Sequence, residues 1–240
     1  MHHTVYAERA PVPALAGIVR RVWCMRVGES APHTQRVVPD GCADILWHDG
    51  HLCVAGPDTG FRLVDLPAGS TLVGIRFETG AASALFGDTP VSAARDEQPF
   101  LDDLWNAQAV RDLAERLAVT EAPADLLQDA VIARLSHVDD VDPVVTAAVG
   151  LFDSPRPPAV STVADRAGLS ERQFRRRFVN AVGYGPSTLV GVRRMARAMR
   201  LFESSVRTAD VAAAAGYADQ PHMTRELRRL AGVTPGQLRR

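Results

Sequence analysis

Between residues 17 and 77 the apolar side chains come in short runs, each closed by turn residues, and none is long enough for a helix. The pattern predicts strands over 17–27, 35–38, 43–47, 51–55, 61–66 and 70–77. Pro39-Asp40-Gly41, His48-Asp49-Gly50, Gly56-Pro57-Asp58 and Pro67-Ala68-Gly69 separate them and have the chemistry of tight turns. A small antiparallel barrel or sandwich is expected. After Gly80 the period changes to that of helices, predicted at 81–86, 106–117 and 124–136, the last with Leu127, Val131 and Leu135 on one stripe that packs on the barrel or on a second subunit. Residues 153–158, Asp-Ser-Pro-Arg-Pro-Pro, resist regular structure because proline removes a donor and restricts its predecessor. The expected organisation is therefore α+β: a β-barrel-like domain with flanking helices over 1–152, a linker over 153–159 and an all-α domain over 160–240.

Beyond the linker the chain repeats itself. Residues 164–170 match 212–218 at an offset of 48, and Phe174, Phe178, Gly183 and Pro186 match Met223, Leu227, Gly232 and Pro235 at an offset of 49. Each copy has a short alanine-rich helix, a glycine for the turn and a second helix, which is the layout of a helix-turn-helix. In the first copy Ser170 and Gln173 can form a capping box, and Phe174, Phe178 and Val182 recur on one side. Arg172, Gln173, Arg175 and Arg176 are left facing outward. In the second copy Asp219 caps, Pro221 falls in the first turn, and Met223 and Leu227 face inward. Gln220, His222, Thr224, Arg225, Arg228 and Arg229 face out. Residues 187–203 read as one helix between the copies, with Leu189, Val192, Ala196, Met199 and Phe202 on its apolar side. At ~1.5 Å per residue it is a rod of roughly 25 Å, suited to holding two recognition helices near the ~34 Å spacing of successive major-groove faces.

Charge sharpens this division. The net charge of −1 hides 16 Arg against 6 acidic residues in 156–240 and 11 Arg against 22 in 1–155. The chain has no lysine, so every fixed cation is a planar guanidinium that matches phosphate and guanine edges. The three cysteines, Cys24, Cys42 and Cys53, have no close pair spacing and read as reduced thiols. Arg20, Arg21 and Arg26 interrupt the apolar residues near the start, so no membrane segment or secretory leader is expected and a cytoplasmic location follows.

Residues 161–240 resemble the AraC/XylS family of bacterial transcription regulators. The resemblance rests on residues 163–178, on Asp210-Val211-Ala212 through Gly216-Tyr217, and on the closing Gly232-Val233-Thr234-Pro235. It implies double-stranded DNA as the partner, with both recognition helices in adjacent major grooves. Transferred to matching positions, Arg172, Gln173, Arg175 and Arg176 in the first copy and Gln220, Thr224 and Arg225 in the second become base-contact candidates. Ser161, Thr162, Arg177, Arg228 and Arg229 become phosphate-contact candidates, which position without reading sequence. The family usually has aromatic residues at Met223 and Leu227 and a polar residue at Pro221, so the second copy is expected to read fewer bases or to read them more loosely; a Ser or Thr is usual at Gly185, where Ser187 can cap the linker helix instead.

The acidic domain offers less. Val38-Pro39-Asp40-Gly41-Cys42-Ala43-Asp44-Ile45 and Gly74-Ile75-Arg76-Phe77 resemble the sensor half of one group of AraC-type regulators, which implies a barrel-like effector or dimerisation domain; the candidate partners are a small-molecule effector, a second copy of the chain (a homodimer) and, for an activator, RNA polymerase. Trp23, Trp47, Phe61 and Arg76 are the candidate lining of an effector pocket. His33, Asp40, Cys42, Asp44, His48, His51 and Cys53 gather metal-ligand types, so a metal-responsive regulator is an alternative, but their spacing matches no metal motif and no metal or other cofactor is expected. An enzyme with a DNA-binding appendage is a further alternative. Against it, the chain has no G-x-S-x-G elbow and no phosphate-cradling G-x-x-x-x-G-K, so no catalytic residue is assigned.

Overall fold

A computed structural model describes residues 4–136, 141–203 and 207–239. Residues 1–3 and 240, the outer ends of the two expected domains, lie outside the described residues. The N-terminal part holds β1 (Val5–Arg9), β2 (Val19–Arg26), β3 (His33–Val37), β4 (Asp44–His48), β5 (His51–Ala55), β6 (Arg62–Leu66) and β7 (Thr71–Phe77). They form a five-stranded sheet in the order β1-β2-β7-β4-β5 and a two-stranded sheet of β3 and β6, with all pairings antiparallel. The two sheets are barrel-like without joining into a closed barrel. β1 was not anticipated: all five of its residues are exposed, so it carries no apolar alternation.

The period of two divides the large sheet's side chains between two cores. On one side Val22, Ile45, Val73 and Ile75 pack against α1 (Ser83–Phe86), α2 (Ala107–Val119) and α3 (Pro123–Leu135). Asn106 caps α2 by accepting from the Ala109 amide, and Leu127 and Val131 of α3 are fully buried. On the other side Trp23, Met25, Leu46 and Leu72 meet Leu66 and Val64 of the small sheet.

Between the sheets, near β1, lies a polar group. Trp23 Nε1 donates to Asp44 Oδ2 at 2.8 Å, and Arg76 donates to both Asp44 oxygens at 3.1 Å. Arg76 also lies 3.3 Å from Asp40 and 3.8 Å from Glu8. Burial pushes the Asp44 carboxyl up to about 6 although Arg76 opposes the shift.

The C-terminal part is helical: α4 (Pro143–Phe152), α5 (Val160–Arg166), α6 (Glu171–Val182), α7 (Pro186–Phe202), α8 (Thr208–Ala215) and α9 (Gln220–Ala231). α4 was not anticipated, although Asp142 accepts from the amides of Val144 and Val145 ahead of Pro143, a standard helix start. Its Val145, Ala148 and Phe152 pack in the same core as the helix-turn-helix units. Phe152, Phe174 and Phe178 meet with ring centroids 5.7–6.4 Å apart. α7 buries Leu189, Val192, Met195, Ala198 and Phe202. Met195 and Ala198 replace the expected Ala196 and Met199, which are only partly buried, because α7 is covered by α8 and α9 as well as by α4 and α6 and its apolar stripe follows their combined groove.

Two outcomes follow. A methyl group on Gly74 would come within 2.3 Å of the Trp23 ring, so Gly74→Ala should cost ~1–3 kcal/mol of stability by overpacking, measured by denaturant unfolding. An unchanged midpoint would show that the indole is free to move. The second concerns pH. Asp44 takes up its proton at about 6 in the fold and near ~3.9 when unfolded, so between those values the folded chain binds the extra proton. Stability from this group is therefore greatest at low pH, falls as pH rises through that window and is level above it. Unfolding midpoints across the window should slope less in Asp44→Asn, and parallel profiles would contradict this.

Candidate nucleic-acid interface

The two copies of the sequence repeat fold alike. After α5, Gly168 takes φ +66°, and the Leu169 amide turns back to donate to Ala164 O at 3.0 Å. After α8, Gly216 takes φ +90°, and the Tyr217 amide donates to Ala212 O at 2.9 Å. A left-handed turn residue costs glycine least, and the alanines bring the first helix of each pair close to the second. Ser170 starts α6 with the expected capping box: Ser170 Oγ accepts from the Gln173 amide and Gln173 Oε1 accepts from the Ser170 amide. Asp219 starts α9 by accepting from the His222 amide at 2.6 Å. Phe174, Phe178 and Val182 are buried on α6, as are Met223, Leu227 and Leu230 on α9.

The outward sides are basic. Arg172, Arg175 and Arg176 are exposed on α6, and Gln220, Arg225 and Arg228 on α9, with Thr224 half-buried. Arg172, Arg176, Arg225 and Arg228 have no hydrogen-bond or ion-pair partner among the described residues, so their guanidinium donors are open to solvent. Others are engaged. Arg175 donates twice to Glu171 Oε1, at 2.8 and 2.6 Å. Gln173 is held in the capping box, and the Thr224 hydroxyl donates to Gln220 O at 2.9 Å. Arg177 turns away from the exposed side and donates to both oxygens of Asp142, at 2.9 and 3.0 Å, which ties α6 to the start of α4. Arg229 pairs with Glu226 at 3.0 Å and reaches Thr59 O of the N-terminal part. Ser161 and Thr162 are exposed in the first turn of α5.

Some structural roles had no sequence signal. Arg197 of α7 donates to Ala215 O at 3.0 Å and Asp153 O at 2.5 Å, closing the end of α8. Arg193 donates to Asp40 O at 3.2 Å and Thr79 Oγ1 at 2.8 Å, across to the N-terminal part. Near these groups burial raises the Tyr184 phenol above its ordinary value, and its hydroxyl has no hydrogen-bond partner among the described residues.

The four candidate effector-pocket residues do not converge. Trp23 and Arg76 lie together on the side of the large sheet that faces β3 and β6. Trp47 is on the opposite side, against the helices, because it is one residue out of phase with Leu46. Phe61 sits at the helical domain, where Arg36 lies 5.0 Å above its ring. Among the described residues no group of three or more His, Cys, Asp and Glu stands where it could hold a metal, so the His33 to Cys53 segment gives the metal-responsive alternative no support. Cys42 is buried beside Arg20 and Thr79, Asp44 is held by Arg76 and Trp23, and His48 faces His51 across a hairpin. Burial pushes the Cys42 thiol up to about 12 and the Cys53 thiol up to about 11. Among the described residues no helix is long and apolar enough to cross a membrane.

Residues 163–240 match a family described as a helix-turn-helix domain, and residues 7–99 match a domain of unknown function (DUF6597). No curated protein matches. Similar solved structures include an AraC-type transcriptional regulator from Chromobacterium violaceum, with 29% identity over 40% of this chain and 89% of that one and a TM-score of 0.38. The DNA-binding domain of AdpA, a global transcriptional factor solved with a target DNA, has 31% identity over 40% of this chain and 86% of its own, with a TM-score of 0.35. ToxT from Vibrio cholerae covers 90% of this chain and 95% of its own at 9% identity and a TM-score of 0.47. The helix-turn-helix match takes in both copies of the repeat and the helix between them, and with the identity to the AdpA domain it places the chain in the AraC/XylS family of transcription regulators, with a further domain ahead of its DNA-binding unit.

Proposed function

We propose that this protein regulates transcription by reading two adjacent major grooves of double-stranded DNA with α6 and α9. The observation that carries the reading is the set of solvent-open guanidinium groups on the outer sides of two second helices built on one repeated frame. Arg172 and Arg176 in α6 and Gln220 and Arg225 in α9 are the base readers. Arg175 joins them on exchanging Glu171 for a base edge, and Gln173 and Thr224 contribute where their capping and backbone bonds leave a polar atom outward. Arg228, Ser161 and Thr162 contact phosphates. Arg177 and Arg229 enter the reading first as braces, since each is already bonded within the fold, and touch phosphate only through remaining donors.

The N-terminal domain supplies control in this reading. Its polar interior beside Trp23 and Arg76 is where a small-molecule effector would bind, and a change there reaches the DNA-binding unit through Asp40, which faces Arg76 on one side and Arg193 on the other.

The test is site selection from random duplex with the full-length protein, followed by binding at increasing salt. A defined sequence should emerge, and its affinity should fall on the order of a thousandfold between about 50 and 200 mM salt as phosphate contacts release counterions. Arg176→Ala and Arg225→Ala should each cost ~1–3 kcal/mol of discrimination, at positions about one helical turn apart. If no sequence is enriched over random duplex, the reading is wrong. Enrichment with unchanged profiles in both variants would reassign the base contacts.

A further inference from the structure

Each recognition helix ends against the N-terminal domain. A methyl group on Gly183, which closes α6, would lie 2.4 Å from Pro57 Cγ and 3.4 Å from Val91. A methyl group on Gly232, which closes α9, would lie 2.4 Å from Arg36 Nη1 and 2.6 Å from Phe61 Cζ. Arg36 Nη1 donates to Ala231 O at 3.1 Å and reaches Gly232 O at 3.5 Å. The last carbonyls of a helix lack partners within it and carry its negative end, so a guanidinium there both bonds and neutralises. Arg36 is thus a cap for α9 supplied by another domain, steadied by the Phe61 ring.

Pro57 and Phe61 belong to one connection, 56–61, between β5 and β6. Its shape is fixed on its own side. Gly56 lies directly on Ala94 with no room for a methyl group, and the Thr59 amide and hydroxyl donate to Asp96 Oδ1 at 2.6 and 3.0 Å. Asp58 is buried 3.2 Å from Arg62. A short, braced loop therefore touches the ends of both DNA-facing helices.

We infer that Arg36 and the 56–61 connection are positioning elements that set the distance and orientation between the two recognition helices, so that residues which never touch DNA determine the half-site spacing the protein accepts. The spacing arm of the test rests on the DNA-reading function proposed above; the first arm does not. Arg36 is exposed on β3, so its removal leaves both sheet cores intact.

In the full-length protein without DNA, amide hydrogen exchange in the last turn of α9 should speed about tenfold in Arg36→Ala, equivalent to ~1.4 kcal/mol, while the last turn of α6 exchanges as before. Arg36→Lys, which keeps the charge and a donor, should restore part of the protection. With duplexes whose selected half-sites are moved apart or together by one base pair, the wild type should discriminate against the altered spacings, and Arg36→Ala should lose about tenfold of that discrimination while keeping its base preference within each half-site. Unchanged exchange overturns the inference, and so does faster exchange with an unshifted spacing preference or a loss of affinity equal at all spacings. If the wild type selects no site, the regulator reading fails and the exchange result alone decides whether the clamp exists.

Discussion

Both helix-turn-helix units hang on the burial of one side of α7. Leu189, Val192, Met195, Ala198 and Phe202 enter a core that also takes Phe174 and Phe178 of α6, Val211, Ala212 and Ala215 of α8, and Met223, Leu227 and Leu230 of α9. Neither pair of helices is long enough to bury its apolar side alone, so each uses the same rod as its wall. That shared wall converts two short motifs into one object with two basic outer helices, and it leaves Arg172, Arg176, Arg225 and Arg228 outside because the apolar neighbours, every third or fourth residue, are spent on the core.

The other constraint acts from outside the helical unit. Arg193 holds α7 to Asp40 and Thr79, Arg36 holds α9, and Pro57 meets α6. An acidic domain thus supports a basic one mainly by caps and close backbone contact, leaving the basic outer faces uncovered. Carboxylates such as Asp40, Asp44 and Asp142 are engaged by guanidinium groups within the fold, while Arg172 and Arg176 of α6 and Arg225 and Arg228 of α9 have no partner among the described residues.

What was legible in the sequence is what repeats or alternates. The repeat offsets located the turns at Gly168 and Gly216 and the buried Phe174, Phe178, Met223 and Leu227, because a helix-turn-helix allows few substitutions at a close approach. Six strands were legible because short apolar runs closed by turn residues leave a mark. The misses have equally specific causes. β1 is exposed throughout and gives no alternation, and α4 is nearly continuous in apolar residues, so its Asp142-Pro143 start was the only signal and it adjoins a proline-rich stretch. Trp47 was grouped with Trp23 although the phase of β4, with Asp44 and Leu46 on one side and Ile45 and Trp47 on the other, separates them. Pairings between distant segments, such as Arg177 with Asp142 or Arg36 with the end of α9, left no local trace, since an arginine on a helix or strand surface looks the same whether it meets solvent, DNA or another domain.

The central claim is that one chain reads two successive turns of the same face of a duplex. Guanine N7 protection across a selected site measures this most directly, because that atom lies in the major groove where arginine reads it. Two clusters of protection on one face, centred about 10 base pairs apart, are the expected result for a single bound chain. A single cluster, or two on opposite faces of the duplex, would contradict it.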